Sequence, residues 1–438
     1  IFRLEDALMS YVASVNYSYG DKYYASFSFR RDGSSRLSPD TRWGNFWSLS
    51  ASWRLSQEKF MQSLKSVLSD LKLRASYGVN GNLPSSYYGY QSTYTTGAFY
   101  NGKPSPWEST LGNEELTWEK NYALNLGLDI GLFSRVNVSL DWYTRTTKDL
   151  LMSKQLNSIS GFSSLLTNVG QMRNTGVELE VRSNNIKTKD FSWTTAFNLS
   201  HNKNKILKLA DLPWFVDGRY VRKEGYPFNT IYLREYAGVD PETGSALYYD
   251  NQQDENGNYT KNKVTDPGQA SPIPLKDITP TISGGFMNTF NYKFIDLSFN
   301  LSYSFGGYSY DNASYILQDD GYSVISNKST EQRRRWQKPG DITDVPRFVY
   351  GNKKGGNYNS SRAIHSTDHI RLKSLILGLN APKAWLQKLG IGNARIYFSG
   401  TNLLTWAAYG QYDPEMSGVV GFYSPPLKTY AFGLELKF

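Results

Sequence analysis

The sequence predicts an all-β fold, a transmembrane antiparallel β-barrel with long extracellular loops and short periplasmic turns. Three observations predict it. Segments of about 9 to 11 residues alternate apolar and polar side chains with a period of two, which makes strands with one oily and one wet face, long enough to cross a bilayer when tilted. The connections are sorted by parity, short or modest after odd segments and mostly long after even ones, as in outer-membrane barrels. Aromatic residues reach 15% of a chain whose mean hydropathy is only -0.52, a surplus that two interfacial girdles would use.

Taken in order, Ser10 to Tyr19 and Tyr23 to Arg31 form a hairpin about Gly20-Asp21-Lys22. Trp43 to Leu55 places Trp43, Trp47, Leu49, Ala51 and Trp53 on one face, with Asn45 the only polar member. Phe60, Leu64, Val67, Leu68 and Leu71 fall close to helical spacing, so a short helix is expected over Gln57 to Leu71. Leu71 to Val79 alternates again, and a Gly-, Ser-, Tyr- and Pro-rich loop runs to about Leu116. Tyr122 to Ile130 and Val136 to Trp142 give the clearest hairpin, Leu124, Leu126 and Leu128 opposing Asn125, Gly127 and Asp129. Gly176 to Arg182 and Phe191 to Leu199 follow, joined near Asn184-Asn185. A polar region from about Asn202 to Pro280 holds two turn formers, Pro241-Glu242-Thr243-Gly244 and Asn256-Gly257. Ile282 to Tyr292 and Ile295 to Phe305 make another hairpin. A long loop to about Asp368 precedes His369 to Leu379, Ala394 to Leu404 and a last strand, Lys428 to Phe438.

That is about thirteen strands. A lipid-facing Lys or Arg costs about 2 to 4 kcal/mol at mid-bilayer, so the apolar rows must face lipid and the Ser, Asn, Asp and Glu rows a hydrophilic lumen. In the last strand Tyr430, Phe432, Leu434, Leu436 and Phe438 form the oily row, and parity puts Phe438 on the short-turn side.

Several function classes are disfavoured. No apolar run is long enough for a membrane helix. There is no cysteine for a disulfide or a thiolate site. The net charge of +9 is dispersed, with Arg333-Arg334-Arg335 the only short basic run, so nucleic acid is not an expected partner. His365 and His369 stand four apart, but no Glu follows His365 as a zinc-protease pair would require. Asp254, Asn256 and Asn258 imitate the start of a calcium loop, yet Tyr259 stands where its Gly belongs and Thr265 where its Glu belongs. Neither a metal nor another cofactor is expected. Carboxylate pairs such as Glu114-Glu115 and Asp319-Asp320 read as polar loop residues, and no nucleophile elbow or phosphate loop appears, so no enzyme is expected.

Motifs in the turns and loops carry a family resemblance. They are Arg30-Arg31-Asp32-Gly33-Ser34-Ser35-Arg36, Arg42-Trp43-Gly44-Asn45-Phe46, Leu73 to Asn82, Leu116-Thr117-Trp118-Glu119, Asn168 to Glu178, Glu235 to Gly244, Thr401 to Trp406 and Tyr412-Asp413-Pro414-Glu415. In this order along nearly the whole chain they resemble the C-terminal part of a SusC/RagA-family outer-membrane transporter, a class of TonB-dependent receptor. Leu37 departs from the family's usual aromatic and Gln171 from its usual Glu. The resemblance implies a 22-stranded barrel, a plug, a TonB-contacting segment and often a small N-terminal domain. Residues 1–438 are therefore expected to be the C-terminal portion of the barrel, with plug and N-terminal domain outside this chain.

The resemblance further implies import of oligosaccharides or peptides across the outer membrane, driven by TonB through the N-terminal region and capped by a SusD-like surface lipoprotein. The expected surroundings are outer-membrane lipid. Phe438 resembles the C-terminal aromatic that the outer-membrane assembly machinery reads. Alternative readings are a non-transporting adhesin barrel and a siderophore-type receptor. Ligand contact is expected from aromatics in the predicted external loops, Trp107, Trp214, Tyr220, Tyr248, Tyr249, Tyr310, Tyr315 and Tyr322, whose faces, next to Asp and Asn, suit sugars or peptides. Packing between loops or against a lid is the competing role for each.

Overall fold

A computed structural model describes residues 4–209, 212–352, 359–387 and 390–438. Thirteen strands share one sheet in chain order: β1 (Leu8–Tyr19), β2 (Tyr23–Ser34), β3 (Trp43–Arg54), β4 (Leu68–Asn82), β5 (Glu119–Leu132), β6 (Val136–Lys148), β7 (Gln171–Lys187), β8 (Phe191–Lys208), β9 (Ile282–Tyr292), β10 (Ile295–Phe305), β11 (His369–Asn380), β12 (Asn393–Ala407) and β13 (Thr429–Lys437). Each expected strand is present, extended by several residues at the long-loop end in β7 and β8. By contacts the chain forms two compact units, Ile1–Asn185 with Ala196–Trp214 and Lys223–Tyr226, and Ile186–Thr195 with Phe215–Arg222 and Pro227–Phe438.

Within the first unit the alternation becomes continuous rows across strands. Ala25, Ala51, Ala75, Leu126, Trp142 and Val177 are successive register partners on the outer face. One residue along, Ser26, Ser50, Ser76, Asn125 and Tyr143 form the inner row, where the Ser26 and Ser50 hydroxyls lie 2.6 Å apart. A period of two cannot put both sets on one face. The inner row also holds a charge triad. Arg74 donates to Asp129 at 2.8 and 2.9 Å and to Asp141 at 2.8 and 2.9 Å, and its guanidinium lies over Gly127, where any side chain would collide with it.

In the second unit Asp296 plays the same part, accepting from Arg395 at 2.7 Å and from Asn380 at 2.8 Å. A β-bulge keeps its rows in phase. Against β10, Asn300 pairs with Ser374 and Leu301 with Leu372, so Lys373 is supernumerary on β11, whereas against β12 the two residues Asn402 and Leu403 face Lys373, and Asn402 takes a left-handed φ of 53°. Ile370 and Leu372 thereby stay on the same outer face as Leu375, Leu377 and Leu379. Asn is the non-glycine residue most tolerant of that conformation, which explains its place in Thr401 to Trp406.

Two expectations change. The segment after β3 is not an α-helix but two short 3-10 turns, Leu55–Gln57 and Lys59–Leu64. Phe60, Leu64 and Val67 remain exposed, so the helical spacing has no surface to pack on, and an isolated helix of that length is marginal. The loop before Leu116 contains an unforeseen hairpin, Thr93–Tyr100 with Lys103–Thr110, turning at Asn101-Gly102, both with positive φ. Asn-Gly is the favoured dipeptide of that tight turn.

The family motifs of the first unit are packing devices. Leu37, Phe46, Val79, Leu116 and Trp118 make a buried cluster, with Phe46 and Trp118 edge to face at 5.2 Å and Trp118 Nε1 donating to the Arg42 carbonyl. Asn168 bridges the carbonyls of Thr117 and Asp149.

Candidate ligand-binding cleft in the loop assembly

The long connections of the second unit fold on one another. Ile231, Leu233, Tyr310 and Ala363 form a buried cluster, flanked by Tyr220, Leu275, Ile278 and Tyr315. Ala246, Tyr248 and Ala270 make another, with Tyr236 against them. The strand Tyr308–Asp311 pairs antiparallel with Ile364–Ser366 and parallel with Gly418–Val420, so the loops after β10 and β12 share a small sheet.

Buried ion pairs pin these loops. Asp320, with no side-chain exposure, accepts from Arg362 at 2.6 Å and from Gln332 at 2.9 Å. At the top of β11, Arg371 donates to Asp413 at 2.6 Å, Glu415 at 2.9 Å and Thr405 at 3.0 Å. Lys373 reaches the same Glu415 at 2.6 Å. The motif Tyr412-Asp413-Pro414-Glu415 thus anchors the last long loop to the strand ladder. In Glu235 to Gly244, Asp240 caps the turn by accepting from Thr243 Oγ1 and the Glu242 amide. Gly244, at φ 69°, lets Trp336 pack where a Cβ would stand.

A polar cluster joins this framework. Asp311, 3% exposed, accepts from the Ser314 amide and hydroxyl and from Tyr409 at 3.1 Å. Tyr409 stacks on His365 with ring centroids 3.7 Å apart and planes at 2°, and the Tyr412 hydroxyl bonds Ser309. Burial pushes the His365 pKa down, and Asp311 partly opposes it. Burial raises the phenols of Tyr310, Tyr409 and Tyr412. The Asp277 carboxyl, in the strand Ile273–Asp277, is raised by burial as well.

Beside this cluster opens a cleft of about 700 Å³, lined by Asp311, Arg371, Tyr412, Phe422, Tyr423 and Lys428 among others. Phe422 and Tyr423 are 67% and 64% exposed. Apolar faces with a few oriented polar groups at such a volume fit an oligomeric polar ligand.

None of the eight aromatics chosen from the sequence lines this cleft. Tyr248 and Tyr310 are fully buried in the loop clusters, Tyr220 and Tyr315 pack against the cluster containing Tyr310, and Tyr249 lies half-buried under the Lys261 ammonium. Trp107, Trp214 and Tyr322 are exposed; Trp107 sits on the unforeseen hairpin of the first unit. Sequence reasoning passed over Phe422 and Tyr423, whose signal was an aromatic pair between Gly421 and Pro425 in the last long loop. The calcium-like segment is a turn, Asp254 accepting from the Asn256 and Asn258 amides. His369 Nδ1 lies 2.8 Å from the Thr367 carbonyl and Nε2 3.7 Å from Glu415.

Residues 8–260 match the family described as TonB dependent receptor-like, beta-barrel. The chain is 33% identical to TonB-dependent receptor P3 of Formosa agariphila over 99% of its own length and 46% of the relative's. It is 30% identical to TonB-dependent receptor SusC of Bacteroides thetaiotaomicron over 100% and 44% of the two chains. Among solved structures it is similar to the RagAB peptide transporter, with a TM-score of 0.89 and 31% identity, covering 99% of this chain and 48% of that one. It spans less than half the length of these curated relatives.

Proposed function

Given that this chain belongs to the TonB-dependent receptor β-barrel family, in its SusC/RagA branch, and to the outer membrane, we propose that it is the C-terminal portion of the barrel of an importer of oligosaccharides or peptides. Its membrane strands carry an inner face of hydroxyl, amide and self-neutralised charge, which suits passage of a polar cargo. That inner face is the observation that carries the reading. A polar lumen wide enough for an oligomer must be plugged when idle, and moving a plug takes energy from outside the barrel, here the TonB system. A SusD-like lipoprotein would close over the long loops. The cleft beside Asp311, Phe422 and Tyr423 would hold part of the cargo, with Trp107, Trp214 and Tyr322 as further exposed contacts. Tyr220, Tyr248, Tyr249, Tyr310 and Tyr315 would support the loops from within. The protein would bind and move its ligand without chemical conversion.

Uptake of labelled glycans and peptides by cells lacking the gene, with and without the full-length protein restored, tests this. Uptake should depend on the gene and collapse when the proton-motive force is abolished. Gene-dependent surface binding that survives de-energisation, with no internal label, would favour the adhesin reading. A gene-dependent defect for iron chelates alone would favour the siderophore reading.

A further inference from the structure

The outer face of the first unit carries a weakly compensated cationic rim at one end only. On β5 the apolar row Tyr122, Leu124, Leu126, Leu128 ends at Lys120. On β6 the row Val136, Val138, Leu140, Trp142 continues through Thr144 and Thr146 to Lys148. On β7 the row Val181, Leu179, Val177 continues through Thr175 to Arg173. Lys120 and Lys148 are direct register partners, and Arg173 pairs with Thr146, two residues below Lys148. On β8, Asn202 and Asn204 point inward to Tyr143 and Asn174, so the exposed Lys203 and Lys205 between and beyond them face outward. All five cations lie at the long-loop end of their strands.

Like charges in direct cross-strand register repel one another, and cations on a lipid-facing surface are costly except near the interface. The near compensation is slight. Asp149 stands 3.7 Å from Lys120, Lys148 leans over the Tyr122 ring at 4.9 Å, and Arg173 donates to Thr146. The clustering is also local. At the short-turn end the outer rows of this unit show Tyr23, Trp53, Leu73, Ile130, Val138 and Val181, with no cation. At the long-loop end of the second unit they show Ile282, Phe305, Ile370, Trp406 and Tyr430, again with none. Outside β5 to β8, Arg31 shares the outer row at that end of the first unit and lies over the Trp43 ring at 5.2 Å; general solubility or a generic interfacial girdle would not gather the other five cations on four adjacent strands.

The long-loop ends lie at the outer leaflet, which in an outer membrane is built of phosphate-bearing glycolipid. The geometry points to a lipid-binding site on the outer rim of β5 to β8, where Lys120, Lys148 and Arg173, with Lys203 and Lys205 beside them, hold the phosphate groups of that anionic glycolipid. A phosphate between Lys120 and Lys148 relieves their repulsion, and the aliphatic stems lie along the acyl-chain boundary. The inference rests on membrane placement and not on the cargo.

The test uses the full-length protein purified in detergent and native mass spectrometry with added lipid A. The wild type should retain diphosphorylated lipid A in preference to its dephosphorylated form. The triple variant Lys120→Gln, Lys148→Gln, Arg173→Gln should bind on the order of a hundredfold more weakly. Lys103→Gln, which removes a cation from the exposed hairpin, should bind as the wild type does. If the triple variant does not fold, Lys148→Glu alone should still lower affinity by about fivefold or more. Equal binding of the two lipid forms, or undiminished binding in the folded variants, overturns the proposal. So does displacement of the lipid by inorganic phosphate at equal concentration, which would make a free anion the ligand.

Discussion

The strand ladder and the loop assembly are built from the same residue types under opposite rules. In the ladder, large apolar side chains stand exposed, as in Phe432 at 82% and Leu434 at 62%, and an ion triad such as Arg74 with Asp129 and Asp141 is open, the arginine side chain 31% exposed. In the loops, Tyr248 and Tyr310 are enclosed, and where the last long loop is anchored on β11 the matching triad of Arg371 with Asp413 and Glu415 leaves the arginine 3% exposed. The ladder uses periodic rows and leaves the outer face to lipid. The loops have no period and are held by specific buried pairs, so their stability rests on fewer residues.

The sharpest way to break that contrast is to remove each arginine. Arg371→Ala strands the Asp413 carboxylate against a buried wall, while Glu415 keeps Lys373, and should cost about 3 to 5 kcal/mol, seen as rapid hydrogen exchange and proteolysis across residues 408–428. Arg74→Ala, in an open lumen, should cost no more than about 1 kcal/mol after solvent screening. Equal losses would erase the distinction. Next, Leu434→Arg tests the lipid-facing row. It should cost about 2 to 4 kcal/mol if that site lies near mid-bilayer, measured by urea unfolding in liposomes, whereas Ser399→Thr on the inner row of β12 should be almost silent.

Asn402 sits where the two rule sets meet. Asn402→Ala should destabilise by about 1 kcal/mol because alanine resists the left-handed bulge, and Asn402→Gly should not. The smallest effect belongs to His365. Its pKa is lowered in the fold, so its contribution is intact above the unfolded value of about 6.5 and is lost as pH falls toward the folded pKa. Exchange protection around Tyr409 should therefore weaken on mild acidification in the wild type and not in His365→Phe.

The same contrast decides how much was legible in the sequence. Each of the thirteen ladder strands announces itself by a period of two, and the polar rows mark a hydrophilic inner face, but the pairing of Arg74 with Asp129 and Asp141 on the neighbouring strands was not foreseen. The loop assembly was visible only as a resemblance, because its strands are two to five residues long and too short to show a period. Exposure could not be read from residue type there, so Tyr248 and Tyr310 were grouped with Trp107 and Tyr322. The motif Tyr412-Asp413-Pro414-Glu415 was recognisable, but its partner Arg371 lies 42 residues before Asp413 and no local pattern joins them. The helical spacing after β3 was real and uninformative, since nothing packs on it.

The ladder crosses the outer membrane with its long loops outside, and single thiols can report that orientation. The chain has no cysteine, so a single introduced thiol reports one place. In cells expressing the full-length protein, with any thiol elsewhere in it removed, Ile325→Cys in the long loop after β10 should react with a membrane-impermeant maleimide on intact cells. Phe133→Cys in the turn between β5 and β6 should react only after the outer membrane is permeabilised. Labelling of Phe133→Cys on intact cells, or protection of Ile325→Cys until permeabilisation, would rule out that orientation.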